Sequence, residues 1–166
     1  MKKSFYIFFT VVVTMFVAGC SKYLDKLDNP NLVTNPPLNG LLAEATFETG
    51  RDVYRLSDWV SYYVQYLASN TRGSDGDIYS EVDLSDEWTN IYFTMMNIKQ
   101  MNDRAVEQGS TQHLGVGKIL MALNLNLLIN AFGDVPYTDA LQGKQLLIPQ
   151  FSDQVALHDT AIKLLD

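Results

Sequence analysis

The stretch "LGVGKILMALNLNLLINAFGDVPYTDALQG", residues 114–143, decides the fold. Residues 114–132 are apolar nearly all round, interrupted only by Lys118, Asn124, Asn126 and Asn130. A helix apolar on every side belongs at the centre of a core, with other elements around it. Gly133 suits the position after a helix end, and Pro136 prevents the helix from resuming. Asn126 and Asn130 lie one turn apart. If buried they must be hydrogen-bonded, and they are expected to order neighbouring loops rather than hold a ligand.

Working outward, three further segments carry helical periodicity. In residues 38–68, Leu41, Leu42, Ala45, Val53, Leu56, Val60, Tyr63, Val64 and Leu67 recur at steps of three and four, with Gly50 expected to bend or break the run. Pro36-Pro37 precede it, and Asn35 or Pro37 could set its start. Residues 85–108 put Trp88, Ile91, Tyr92, Met95, Ile98, Met101 and Ala105 on one stripe. Ser85 is the expected N-cap there, Asp86 and Glu87 suit the positive end of the helix dipole, and Gly109-Ser110 end the segment. Residues 151–166 form another amphipathic helix, capped by Ser152, with Val155, Ala156, Ile162 and Leu165 on its apolar side. The chain stops inside that helix, so a domain cut short at its C-terminus is expected. No strand pattern appears after residue 20. The fold class is all-α, built from antiparallel helix pairs with short connections.

Residues 69–84, "SNTRGSDGDIYSEVDL", read as a loop. Its Asp75-Gly76-Asp77 invites a calcium reading, but EF-hand spacing and a late bidentate glutamate are missing, so a solvated loop is expected. Trp59 and Trp88 sit on apolar helical stripes and are expected in the core, although exposed aromatic rings could stack on sugar faces.

The N-terminus carries a second message. Lys2 and Lys3 precede "FYIFFTVVVTMFVA", residues 5–18, an uncharged run suited to the h-region of a signal peptide. A membrane-spanning helix needs about 20 apolar residues, more than this run offers. It ends in "VAGC", which resembles a bacterial lipobox, with Cys20 as lipid attachment site and first residue of the mature chain. Ser21 at the next position lacks the aspartate of inner-membrane retention and points to the outer membrane. The expected layout is a leader over 1–19, a lipidated N-terminus and Asn/Pro-rich tether over 20–37, and a helical domain over 38–166.

Composition excludes several classes. The 166 residues carry a net charge of −7, which argues against nucleic-acid phosphates as a partner. A single cysteine rules out an internal disulfide and multi-cysteine zinc patterns. His113 and His158 lie far apart, with surface or loop positions expected, and no metal or cofactor is expected. GxSxG, phosphate-cradling glycine loops, HExxH and a paired-carboxylate spacing are all missing, so the chain reads as a binding protein and not an enzyme.

Several stretches together resemble the SusD/RagB family of Bacteroidetes outer-membrane lipoproteins, in its SusD-like branch. The main one is "LINAFGDVPYTDALQG", residues 128–143. "EWTNIYFTMMNIKQM", residues 87–101, is similar to the family's Trp-x-x-x-Tyr helix; "VQYLAS", the ending "FSDQVALHDTAIKLLD" and the lipobox also fit. The resemblance implies helix pairs like tetratricopeptide repeats (TPR-like). It implies a surface-exposed, lipid-anchored lid on a TonB-dependent SusC-like transporter that captures glycans, oligosaccharides or peptides for uptake. Family members run to several hundred residues, so an N-terminal fragment is expected. Their pocket residues follow no fixed motif, so only Cys20 is carried over. The alternatives are a helical scaffold lipoprotein for protein–protein assembly at the outer membrane, and a surface enzyme.

Overall fold

The computed structural model describes residues 36–166, and everything structural below refers to these. Cys20, the leader and most of the tether lie outside the described residues. Four helices carry the architecture: α1 Leu38–Tyr63, α2 Ser85–Glu107, α3 Thr111–Phe132 and α4 Gln154–Lys163. α3 packs against all three others, and α1 packs against α2 as well. By length and composition α3 could cross a membrane, yet here it serves as the centre of a helical core.

The interior is built where the stripes meet. Ile91, Met95 and Ile98 of α2 and Leu125, Leu128 and Ile129 of α3 are fully enclosed, with Ala45 and Leu56 from α1 and Leu157 from α4. Each large side chain so enclosed contributes roughly 1.5–3 kcal/mol of hydrophobic stabilisation. A smaller cluster of Leu38, Leu41, Met101 and Ala105 closes the end where α1 begins.

The α2–α3 junction is compact because Gly109 takes φ 65°. The Ser110 amide reaches the Ala105 carbonyl at 2.8 Å and the Gly109 amide reaches Val106 at 3.1 Å, the paired bonds of a Schellman end. The two helices then approach so closely at Gly117 that a Cβ there would lie 1.7 Å from Asn102 Oδ1.

Several expectations need correction. Gly50 does not break α1 into two helices: a single 26-residue helix runs through it, with buried Thr49 and Asp52 on either side. The helix ends at Tyr63, short of Ala68, because Gln65 adopts φ 58°. Pro37 is the residue at its start, its carbonyl accepting from Gly40 and Leu41 at 2.9 and 3.1 Å. Ser85 is not the cap of α2 but its first helical residue, and the Asp83 carboxylate accepts from the Ser85 amide at 2.9 Å and from its hydroxyl. Ser152 is not the cap of α4 either; Asp153 accepts from the Ala156 amide at 3.0 Å. Ser152 instead pairs with Val135 in a two-stranded antiparallel ladder, β1 Val135–Pro136 with β2 Phe151–Ser152. Two-residue strands are too short to show an alternating pattern.

The largest reversal is in α4. Val155, Ile162 and Leu165 are exposed, and the core contacts come from Leu157, Ala161 and Leu164. The same side chains that looked like the packing face form an outward apolar strip.

Candidate functional site

The half-buried Trp88, on the first turn of α2, stands between two clefts. Its ring meets Phe132, the last residue of α3, edge to face at a centroid distance of 5.0 Å and 85°. It meets Tyr92 one turn on at 5.0 Å and 49°. Such pairs add roughly 0.5–1.5 kcal/mol each beyond their buried area and fix the ring's orientation. Tyr92 in turn donates its hydroxyl to the Pro136 carbonyl at 2.6 Å, tying α2 to β1. Burial pushes the Tyr92 phenol well above its ordinary pKa and raises that of Tyr137, so both favour the protonated form.

The first cleft, ≈ 960 Å³, is lined by Trp88, Thr89 and Phe132 together with the segment Glu81–Ser85. Asp83 is held below the usual carboxylate range by the Ser85 hydroxyl and amide, so it remains ionised. The second cleft, ≈ 430 Å³, shares Trp88 and Thr89 and continues past Phe93 and Met96 to Leu141, Leu146 and Pro149. Leu141 in its wall holds φ 62°, a left-handed conformation costing a side-chain-bearing residue roughly 1–2 kcal/mol. Strain of this kind concentrates at ligand clamps and binding loops.

The loop between α1 and α2 is ordered by its own bonds. Both Asp77 carboxylate oxygens accept from the Ser69 amide, at 3.0 and 3.2 Å. Tyr63 donates to the Ser80 carbonyl and its ring packs on Tyr79 at 5.8 Å. Gly76 lies so near Tyr62 that a Cβ would come within 2.6 Å of it. Asp77 therefore works as a loop brace, and no cluster of three metal-ligating side chains forms among the described residues. Tyr66 and Tyr79 are left exposed on this loop.

The other residues singled out from the sequence scatter. His113 is on the first turn of α3, bonded to Ser110 Oγ at 2.7 Å and to Asn39 Oδ1 at 2.9 Å, so it latches α3 to the start of α1. His158 borders an apolar groove between α3 and α4 with Ile119, Leu123, Ile162 and Leu165. Trp59 is half-buried on α1. Asn126 and Asn130 are exposed and bonded to each other at 2.9 Å, and do not brace loops. The buried asparagine is Asn124, whose amide donates to Thr49 Oγ1 at 2.7 Å and to the Leu120 carbonyl at 2.9 Å. Beside it Thr94 donates to the buried Asp52 at 2.7 Å. Asn124 shares the buried face of α3 with Met121, Leu125 and Leu128.

These features define a class first: an all-α scaffold of paired helices with an aromatic cleft on one flank. The chain belongs to the SusD-like family described as "Starch-binding associating with outer membrane", whose model matches residues 30–166. It is also similar to a solved SusD/RagB family protein from Bacteroides thetaiotaomicron VPI-5482, at 19% identity and a TM-score of 0.63, over 80% of this chain. That likeness supports the TPR-like helical fold. The chain spans 29% of the length of that protein. No curated protein is significantly similar in sequence.

Proposed function

We propose that this chain is part of an outer-membrane lipoprotein that captures glycans and passes them to a TonB-dependent SusC-like transporter, without chemistry of its own. The observation that carries the reading is the Trp88 cleft within a chain matched to the starch-binding family description over residues 30–166. A half-buried indole with neighbouring carboxylates and a hydroxyl fits a sugar, whose ring offers an apolar face to the indole and hydroxyls to the oxygens. Cys20 is the lipid anchor, supported by "VAGC" after an uncharged run. Stable attachment takes more than one acyl chain. Residues 20–37 then act as tether, and 38–166 as the helical part of a larger surface-exposed domain.

A second reading, a protein-assembly scaffold, draws on the exposed apolar grooves flanking Asn126 on α3. One experiment separates the two. Affinity purification from the native membrane with the intact lipobox should bring down an outer-membrane barrel, and the purified protein should bind starch oligosaccharides saturably. A protein complex without saccharide binding supports the scaffold. Replacing Cys20 with Ala should release the chain from membranes; retained association contradicts the anchor.

A further inference from the structure

The geometry points to the exposed ridge of α3 as a docking site for an extended segment of a partner protein, with apolar side chains at positions i and i+3. The inference gives the protein-assembly reading a site and a ligand chemistry, and it does not depend on glycan binding at Trp88.

Ile119, Leu123, Asn126 and Asn130 follow one another at helical spacing along α3, and all four are exposed. This ridge has an apolar pocket on each flank. Toward α1 lies a pocket of ≈ 570 Å³, walled by Leu56, Val60, Val64 and Leu127. Toward α4 lies one of ≈ 370 Å³, walled by Ala122, Leu123, Ile162 and Leu165. Asn126 lines both.

Asn130 Nδ2 donates to the Asn126 carbonyl at 2.7 Å and to Asn126 Oδ1 at 2.9 Å. That pairing leaves the Asn126 amide hydrogens and Asn130 Oδ1 without a partner among the described residues. A donor and an acceptor, one helical turn apart, thus stand between two apolar pockets. Four helical residues rise about 6 Å, close to the roughly 6.6 Å between alternate residues of an extended chain. Alternate residues of such a chain turn their N–H and C=O to the same edge, where side-chain amides complement both.

With that edge set down on the ridge, an extended chain sends successive side chains to opposite flanks. The α3 walls of the two pockets are centred about six residues apart, roughly 9 Å along the axis. Side chains i and i+3 point to opposite sides and stand about 10 Å apart, so one fits each pocket. Pairs at i, i+2 or i, i+4 fall on a single flank. A docked helix has already spent its backbone groups internally, and an acyl chain has none, so neither answers the asparagine pair.

The test titrates the full chain calorimetrically with three octapeptides of one composition, acetylated and amidated. Two leucines stand two, three or four positions apart in a background of serine, threonine and glycine. The peptide with i, i+3 spacing should bind saturably and roughly tenfold tighter than the others, the worth of one buried leucine side chain. Asn126→Ala, or methylation of the peptide nitrogens between the leucines, should weaken it severalfold with maltoheptaose binding unchanged. Val60→Ser and Ile162→Ser, at residues 51% and 61% exposed, should each erase the preference for that spacing. Equal affinity at all spacings, indifference to Asn126→Ala and methylation, or no peptide binding overturns the docking site. So does a dimer in light scattering that Ile162→Ser dissociates, which makes a second copy the occupant, or displacement of the peptide by maltoheptaose. Binding by this chain but not by the protein purified from its native membrane shows the ridge covered from within its own polypeptide, and overturns a separate partner. A stable protein complex that ignores Asn126→Ala keeps the assembly reading and sinks only this site. Failure to bind any saccharide, with peptide binding intact, defeats only the glycan reading.

Discussion

Asn124 of α3 donates its side-chain amide to the hydroxyl of Thr49 on α1 at 2.7 Å, inside the core and across 75 positions of sequence. With Thr94 and Asp52 it forms a polar layer through an otherwise apolar bundle, linking α1 to both α2 and α3. A polar layer restricts how apolar helices can slide past one another, because another register would break the Asn124–Thr49 and Thr94–Asp52 bonds.

Removing the link should therefore cost more than removing similar groups on the surface. Asn124→Ala should destabilise the fold by about 2 kcal/mol, the cost of stranding the buried Thr49 hydroxyl plus lost packing. Asn126→Ala and Asn130→Ala should each change stability by less than about 0.5 kcal/mol. Urea unfolding followed by circular dichroism checks all three.

Asp52 gives the layer a pH dependence. Burial, the largest influence, raises its pKa above 3.8, outweighing the Thr94 hydrogen bond and the Arg55 guanidinium 3.7 Å away. Folding thus favours its protonated form. That contribution is fully present below the unfolded value and is lost as pH rises through the folded one. Asp52→Asn should flatten this component, gaining stability relative to the parent at neutral pH more than at pH 4. Unfolding curves of both proteins across that range show it.

Close approach at Gly117 predicts opposite signs for two neighbouring substitutions. Gly117→Ala drives a methyl into Asn102 and Met101 and should cost about 1–3 kcal/mol. Gly115→Ala has open space at its Cβ and should stabilise α3 by up to about 1 kcal/mol through helix propensity. Thermal melts of the pair would expose an error in the α2–α3 packing at once.

The start of α4 offers a further contrast. Asp153→Ala should cost about 1 kcal/mol through the lost bond to Ala156, whereas Ser152→Ala should cost little as a cap. Comparable melting temperatures for both variants would contradict the assigned cap.

The same positions show what the sequence could convey. Four helices and their order were legible, because stripes such as Ile91–Met95–Ile98 repeat at helical spacing and Gly109 and Gly133 mark the ends. Pro37 was among the residues expected to start α1, but the N-caps expected for α2 and α4 were each misplaced by one position, since Ser85, Ser152 and Asp153 are all capable and only backbone geometry chooses. The face of α4 was inverted because Val155, Ile162 and Leu165 are as apolar as Leu157, Ala161 and Leu164; which set turns inward depends on α3. Among three asparagines in α3, the buried one depends on rotation about the helix axis, which Thr49 of α1 fixes from outside the local pattern. Trp88 was placed on the core stripe, and it does pack there. That one edge also borders two clefts required the loop at 81–85 and the turn at 140–149 to be folded against it.

The most direct measurement follows Trp88 alone. The sequence has two tryptophans, so Trp59→Phe leaves Trp88 as the sole indole and Trp88→Phe leaves Trp59. Titrating each variant with maltoheptaose while recording tryptophan fluorescence should give a saturable change in the Trp59→Phe protein and none in the Trp88→Phe protein. A saturable change confined to Trp59, or calorimetric binding that leaves the Trp88 emission untouched, would contradict the placement of the glycan site.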